Sequence, residues 1–246
     1  MPGAGGPVTR GAERYAVYFI PGPDTALWQA GCRWLGRNPD GTVGDAPLPP
    51  PQATAAGISR EDWAAATAEP RRYGFHATLK PPFHLAEGRA LADLDTALAR
   101  FAAGRAAFQA AALSVTRLGG FLALCPSAPA ADLAALAADC LRAFEPFRRP
   151  SDAATLARRR ARGLTPRQDA LLEAWGYPFV LEEFRFHMTL TGRLSDEAAA
   201  RYLSLLDRLF AAALAAPLAV GGVALFREPA PGAPFETVRR YLFSAR

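Results

Sequence analysis

Histidine, cysteine and methionine are scarce in this sequence: its 246 residues include three histidines, three cysteines and two methionines. The cysteines, Cys32, Cys125 and Cys140, form no C-x-x-C pair and lie in apolar stretches. This pattern excludes a disulfide-stapled scaffold and predicts reduced, mostly buried thiols. The sequence also lacks His-Glu-x-x-His and any Cys/His cluster with the spacing of zinc ligands. We therefore predict neither a metal site nor a cofactor.

Long apolar runs are missing as well. No stretch approaches the roughly 18 apolar residues that span a bilayer, and the Gly/Pro-rich start, Met1 to Arg14, has no signal-peptide core. Glycine (21) and proline (22) stay below the level typical of low-complexity chains. These absences predict a folded, cytoplasmic protein without a membrane partner.

Positive charge is concentrated rather than spread. The chain has 28 basic and 23 acidic residues, a net charge of +5. The segment Arg148–Arg167 holds seven arginines and a single acid, Asp152, so the rest of the chain is nearly neutral. Such a segment is interpreted either as a solvated helix or loop face or as an anion-binding patch.

Turn signals and periodicity predict an α+β protein, with residues 1–13 as a flexible tail and 14–246 as a single domain. The tail is Gly/Pro-rich and polar, and the domain mixes helices with strands in hairpin-like neighbourhoods. The expected elements include strands over 15–20, 73–80 and 184–191, a hairpin joining 108–117 to 121–125, and a helix that begins after Ser59 and ends before Pro70. Pro81-Pro82 is expected to stop the strand over 73–80.

One short motif occurs twice, 111 residues apart. Tyr73-Gly-Phe-His-Ala-Thr-Leu-Lys80 aligns with Phe184-Arg-Phe-His-Met-Thr-Leu-Thr191, so two of the three histidines lie in the same context, Phe-His-x-Thr-Leu. Because side chains alternate along a strand, each copy predicts an apolar face and a polar face. The polar faces carry His76, Thr78 and Lys80 in the first copy, and Arg185, His187 and Thr189 in the second.

This set of residues suits a phosphate held between two proton carriers. One imidazole accepts a proton from the attacking nucleophile while the other, protonated, donates to the leaving oxygen. Threonine hydroxyls donate to phosphate oxygens, and Lys80 or Arg185 offsets the developing charge without a metal. A lone strand histidine is more often structural, but the duplication favours catalysis. His84 lacks the following threonine and is interpreted as structural or as part of the rim of the site.

The sequence resembles the two-histidine (2H) phosphoesterase superfamily through His76-Ala-Thr78-Leu79 and His187-Met-Thr189-Leu190. Further stretches resemble a branch found with bacterial phosphonate-metabolism genes: Arg14–Phe19, Trp34–Arg37, Tyr73–Pro82, Leu164–Gln168, Trp175–Pro178 and Glu183–Gly192. The resemblance implies a bilobal, pseudo-twofold symmetric α+β fold, with two antiparallel sheets lining a central groove and helices outside. It also implies metal-independent opening of a cyclic phosphate, by analogy a ribose cyclic phosphate.

The sequence leaves several alternatives open. Which histidine acts as base is undecided because the two copies are nearly identical. Tyr18 is a weaker candidate for packing on a sugar or base, and a plain core residue is the other interpretation. The same site could process RNA ends, with Arg148–Arg167 holding the backbone. A non-catalytic module that binds a phosphorylated ligand is the third interpretation.

Overall fold

A computed structural model of the chain describes residues 13–41 and 49–245, in which nine strands and eight helices are formed. The predicted tail lies outside these ranges except for Glu13, whose carboxylate accepts a hydrogen bond from the Tyr15 hydroxyl at 2.6 Å. The strands are β1 Arg14–Phe19, β2 Ala77–Phe83, β3 Phe108–Ala110, β4 Leu113–Leu118, β5 Phe121–Pro126, β6 Met188–Thr189, β7 Leu218–Val220, β8 Gly222–Glu228 and β9 Glu236–Leu242. The helices are α1 Ala26–Leu35, α2 Pro51–Ala55, α3 Arg60–Tyr73, α4 Leu91–Ala103, α5 Ala131–Ala143, α6 Ala153–Arg160, α7 Pro166–Trp175 and α8 Asp196–Phe210.

Seven strands form one antiparallel sheet in the order β4-β5-β6-β2-β1-β8-β9, and β3 pairs with β7 in a second, small sheet. The α+β class is therefore confirmed. The two motif-bearing halves do not form separate sheets in the described residues, and the bilobal arrangement around a groove stays a prediction. The short strand β6 pairs with β5 on one side and β2 on the other, which joins the two motif-bearing halves edge to edge.

Two proline positions depart from the sequence-based expectation. Helix α3 continues through Pro70 to Tyr73. Proline has no N–H for the carbonyl four residues earlier, and that carbonyl, on Ala66, instead accepts a bond from Gly192 N at 2.6 Å. Strand β2 likewise runs through Pro81 and Pro82, which fall where the pairing with β1 is irregular and a backbone donor is not required.

Close packing holds the start of β2 against the helices. Phe75 is fully buried, and its ring lies against Gly31 of α1, where an added Cβ would come within 2.2 Å of the ring. The ring also stacks near Phe210 of α8, with centroids 6.2 Å apart. Because Phe75 precedes His76, this contact fixes the backbone from which the first motif histidine projects.

Candidate active site

The pairing of β2 with β6 brings the two motifs together. Ala77 lies opposite Met188 in an antiparallel register. Continuing that register by one residue in each direction places His76 opposite Thr189 and Thr78 opposite His187. Directly opposite residues share a face of the sheet, so both histidines and both threonines lie on one face. The histidines are diagonal neighbours, for which the usual Cβ separation is about 7 Å.

The other face of the same strands is apolar, as the alternation predicts. Phe75, Ala77 and Leu79 of the first copy are at most 3% exposed. Phe186, Met188 and Leu190 of the second copy are at most 6% exposed. The second copy is less regular than the strand expected over 184–191. Strand pairing covers only Met188–Thr189, and residues 184–187 lie before the strand.

Each motif imidazole is held by the same local hydrogen bond. His76 Nδ1 is 2.9 Å from the Gly74 carbonyl oxygen, and His187 Nδ1 is 2.7 Å from the Arg185 carbonyl oxygen. A carbonyl only accepts, so Nδ1 carries the proton in both rings. Nε2 is left for chemistry in each copy.

His76 lies among aromatic side chains. Its ring centroid is 3.8 Å from that of Tyr18 and 6.0 Å from that of Tyr73. Burial lowers the pKa of His76 to about 4, and the nearby His187 lowers it further against the effect of the Gly74 bond. At neutral pH His76 is therefore uncharged, and Thr78 Oγ1, 3.3 Å from its Nε2, can donate to it.

His187 has a different setting. Its side chain is half-buried, and the nearest aromatic ring, that of Phe121, has its centroid 5.9 Å away. Arg185, two residues earlier, is exposed. The sequence-based role of Arg185 as a phosphate ligand stays a prediction.

Lys80 does not share the polar face, contrary to the simple alternation. Val17 pairs with Lys80 whereas Tyr18 pairs with Thr78, so the register shifts between them and the alternation of faces is broken. The Lys80 ammonium instead donates to the Leu141 carbonyl at 3.2 Å and to Glu145 at 2.8 Å, with the side chain 1% exposed. We therefore assign Lys80 to holding α5 against β2.

Tyr18 also differs from its sequence-based role. Its side chain is 0% exposed and its ring is covered by His76 and Phe226, so no ring face is open to a sugar or base. Its hydroxyl has no hydrogen-bond partner among the described residues.

The remaining histidine and the cysteines lie apart from this cluster. His84 Nδ1 contacts the Glu13 carbonyl oxygen at 2.8 Å. Cys125 and Cys140 are buried and Cys32 is half-buried, all three as free thiols. Burial raises the pKa of Cys32 to about 12. Within the described ranges no group of three or more His, Cys, Asp or Glu could hold a metal ion.

Sequence reasoning missed Tyr73 as a neighbour of His76, and Phe235 as the residue that packs on both Tyr73 and Tyr18. Tyr73 and Phe235 stack with centroids 5.0 Å apart beside the first histidine. Tyr73 lies in the motif, where strand alternation predicts that it points to the apolar face. Phe235, 162 residues further on after β8, has no local signal that would connect it to the site.

Comparison with known proteins identifies the family. The model described as "Protein of unknown function (DUF1045)" matches residues 78–236, well over half of the chain. The chain belongs to the DUF1045 family. The match includes Thr78, His187 and Thr189, and begins two residues after His76.

Two curated relatives share the name ribose 1,5-bisphosphate phosphokinase PhnN. The protein from Janthinobacterium sp. (strain Marseille) is 42% identical over 237 residues, 95% of this chain and 51% of the relative. The protein from Laribacter hongkongensis (strain HLHK9) is 39% identical over 226 residues, 92% and 51% respectively. The chain thus spans about half the length of these relatives.

One solved structure is also similar. The conserved protein of unknown function ATU0111 from Agrobacterium tumefaciens str. C58 gives a TM-score of 0.43 at 12% identity, over 94% of this chain and 86% of that one.

No helix in the described ranges has both the length and the apolar character to cross a membrane.

Proposed function

We propose that this chain is a metal-independent phosphodiesterase that opens a cyclic phosphate by two-histidine chemistry. One observation carries the proposal: two imidazoles lie on adjacent strands and one face, each with Nδ1 bound to the carbonyl two residues earlier. The two Nε2 atoms are therefore free to contact a substrate on the same face of the sheet, and Thr78 and Thr189 lie on that face as well. A binding module would need hydrogen-bond donors but not two proton carriers.

The proposed reaction follows from the protonation of His76. Because burial keeps its ring neutral, His76 Nε2 accepts a proton from water as the water oxygen bonds to phosphorus. The bond from phosphorus to the departing ribose oxygen breaks, and that oxygen takes a proton from His187 Nε2. The attacking water replaces Thr78 at His76 Nε2, so Thr78 and Thr189 can donate to the non-bridging oxygens. The product is a ring-opened phosphomonoester.

We propose a ribose cyclic phosphate linked to phosphonate metabolism as the substrate. The relatives are named for a kinase of ribose 1,5-bisphosphate, which supports a ribose phosphate here. The P-loop signature of many ATP-dependent kinases, G-x-x-x-x-G-K-[ST], is absent, since the single lysine, Lys80, follows Leu79. This chain therefore lacks the P-loop of such kinases, and we assign it the diesterase step rather than a kinase step.

The test is a product-resolved assay of ribose 1,2-cyclic phosphate and nucleoside 2′,3′-cyclic phosphates with and without EDTA. We expect hydrolysis that survives the chelator and falls about 10²–10⁴-fold in both His76→Ala and His187→Ala, because each variant loses one proton carrier. His84→Ala, outside the paired motifs, is the histidine control and should retain activity on these substrates, whose single phosphate is the one that reacts. Activity abolished by EDTA, or intact in both motif variants, would contradict the proposal.

A further inference from the structure

A cavity of about 160 Å³ lies beyond the end of β2, between the loop over 148–152, the start of α6 and the end of α7. It is far larger than the roughly 10–15 Å³ that one water needs. Its walls bring together six cationic side chains: Arg14, Lys80, Arg148, Arg149, Arg158 and Arg159. One carboxylate, Asp152, also lines it. None of the motif residues His76, His187, Thr78 or Thr189 does.

The ion pairs leave this cavity short of negative charge. Glu228 binds Arg14, and Glu145 binds Lys80 and Arg148. Asp152 caps α6, accepting from Thr155 N at 2.6 Å. Among residues 13–41 and 49–245, Arg149, Arg158 and Arg159 have no carboxylate within salt-bridge distance. Three guanidinium groups at one cavity therefore have only Asp152 as a carboxylate in its lining, and that carboxylate forms an ion pair with none of them.

Two arginines on the outward side of the same segment are neutralised, whereas the exposed Arg162 has no carboxylate within salt-bridge distance among the described residues. Arg160 binds Asp169 and Glu173, and Arg167 binds Glu182. A surface that tracked a nucleic-acid backbone would spread its unpaired cations along an exposed groove. Here the cations without carboxylate partners include three that converge on one cavity, which favours a compact anion such as a phosphate group.

Packing contacts fix two of the arginine side chains at the cavity. The Arg159 guanidinium lies over the Tyr177 ring, 5.5 Å from its centroid. Arg148 packs against Gly176, where an added Cβ would come within 2.9 Å of its guanidinium. Burial lowers the pKa of Arg159, Tyr177 opposes this, and the charges of Arg158 and other arginines lower the pKa further, so a bound anion would offset the repulsion among the arginines. These contacts hold Arg148 and Arg159 in place before any ligand arrives, and the exposed Arg149 and Arg158 lie beside them.

Aromatic side chains connect the cavity to the candidate active site. The Arg14 guanidinium lies 5.7 Å from the Phe235 ring, and Phe235 stacks on Tyr73, which neighbours His76. The buried Tyr18 hydroxyl lacks a partner among the described residues. Burial and the nearby Tyr73 raise the pKa of Tyr18 and Arg14 opposes this, so Tyr18, which packs on His76, also lies within the electrostatic influence of a residue of the cavity.

We propose that the arginine cavity binds a second, non-reacting phosphate of the substrate, so that the enzyme acts on sugar cyclic phosphates carrying an additional phosphomonoester. The inference rests on the proposed function for the reacting phosphate. The two sites are connected by three contacts, His76 to Tyr73 at 6.0 Å, Tyr73 to Phe235 at 5.0 Å and Phe235 to Arg14 at 5.7 Å. This spacing keeps both sites within reach of one phosphorylated sugar.

The decisive experiment compares ribose 1,2-cyclic phosphate with and without a 5-phosphate. We expect wild type to favour the 5-phosphorylated substrate by about 10–100-fold in kcat/KM, chiefly through KM, as charged hydrogen bonds allow. The double variant Arg158→Gln/Arg159→Gln should lose most of that ratio. Arg160→Gln/Arg167→Gln, from the neutralised side of the same segment, is the matched control and should keep it.

Other outcomes separate this proposal from the one it rests on. Equal kcat/KM for both substrates in wild type, or a ratio unchanged by Arg158→Gln/Arg159→Gln, would overturn the second-phosphate site. If neither substrate is hydrolysed, the proposed function fails, and binding of ribose 5-phosphate decides the cavity. Thermal stabilisation of wild type, absent with ribose and absent in Arg158→Gln/Arg159→Gln, supports an anion site. Salt-sensitive RNA binding that depends on Arg160 and Arg167 would overturn it in favour of a nucleic-acid surface.

Discussion

The two copies of the Phe-His-x-Thr-Leu motif share a local hydrogen bond and differ in almost everything around it. The first copy starts a seven-residue strand and places His76 against Tyr18 and Tyr73. The second copy makes a two-residue strand, and His187 lies near a single aromatic ring, that of Phe121. The same short motif therefore lies in two different environments.

The difference extends to the residue that follows each motif. Lys80 is buried and bound to Glu145, whereas Thr191 accepts from Leu122 N at 3.0 Å and donates to the Gly192 carbonyl at 2.9 Å. Both residues therefore fasten their copy to neighbouring structure by different chemistry. The comparison teaches that a motif specifies how a histidine is held, while its surroundings decide which proton task it can perform.

The largest expected effect separates the two histidines by leaving group. Without His187 no acid protonates the departing oxygen, so His187→Ala should lose about 10²–10⁴-fold in kcat/KM on a cyclic ribose phosphate and much less on an aryl phosphodiester. The nitrophenolate of such an ester leaves without a proton. His76→Ala lacks the base and should lose activity on both. Steady-state kinetics with bis(p-nitrophenyl) phosphate provides the measurement.

The reverse pattern would exchange the two assignments. If His76→Ala regains activity with the aryl ester and His187→Ala does not, His76 is the acid. Equal losses on both substrates in both variants would mean that neither histidine serves the leaving group.

A second prediction tests the ion pair of Lys80, the residue that follows the first copy of the motif. Glu145→Ala leaves the buried Lys80 ammonium without a carboxylate and should lower the free energy of unfolding by about 3–5 kcal/mol. Adding Lys80→Met should restore part of the loss, since the charge is then removed. Urea denaturation measures both. Arg185→Ala, at an exposed position of the second copy, is the control and should change stability by less than about 0.5 kcal/mol. A small effect of Glu145→Ala would show that α5 does not depend on the pair.

The smallest expected effect concerns the pH dependence of stability. His76 has a folded pKa of about 4 against 6.5 for the free side chain, so the unfolded chain binds the proton first. Stability from this residue is complete above pH 6.5 and is lost as the pH falls toward 4. Relative to His76→Gln, wild type should lose about 2 kcal/mol across that interval, because partial exposure weakens the full effect of the shift. Parallel urea midpoints for the two proteins between pH 7 and pH 4 would show instead that His76 titrates as it does in water.

The sequence predicts the elements that have strong local signals. It does not predict the features that depend on contacts with residues distant in the chain. The helix capped by Ser59, the hairpin of β4 and β5, and β1 lie close to where the pattern predicted them. The passage of α3 through Pro70 depended on Gly192, a distant donor for the freed Ala66 carbonyl. The position of Lys80 depended on a shift in the pairing of β1 with β2, and no residue of β2 indicates this shift in the sequence.

The sequence by itself determined which side chains carry the chemistry, because strand alternation is a local property and the repeat of Phe-His-x-Thr-Leu is visible without a fold. The scarcity of histidine made that repeat conspicuous. Only the tertiary structure decided that the copies meet on adjacent strands, that Tyr18 and Tyr73 cover one imidazole, and that arginines far apart in sequence line one cavity. The reason is physical: pairing register, desolvation and charge neutralisation depend on which residues become neighbours, and chain order does not specify them.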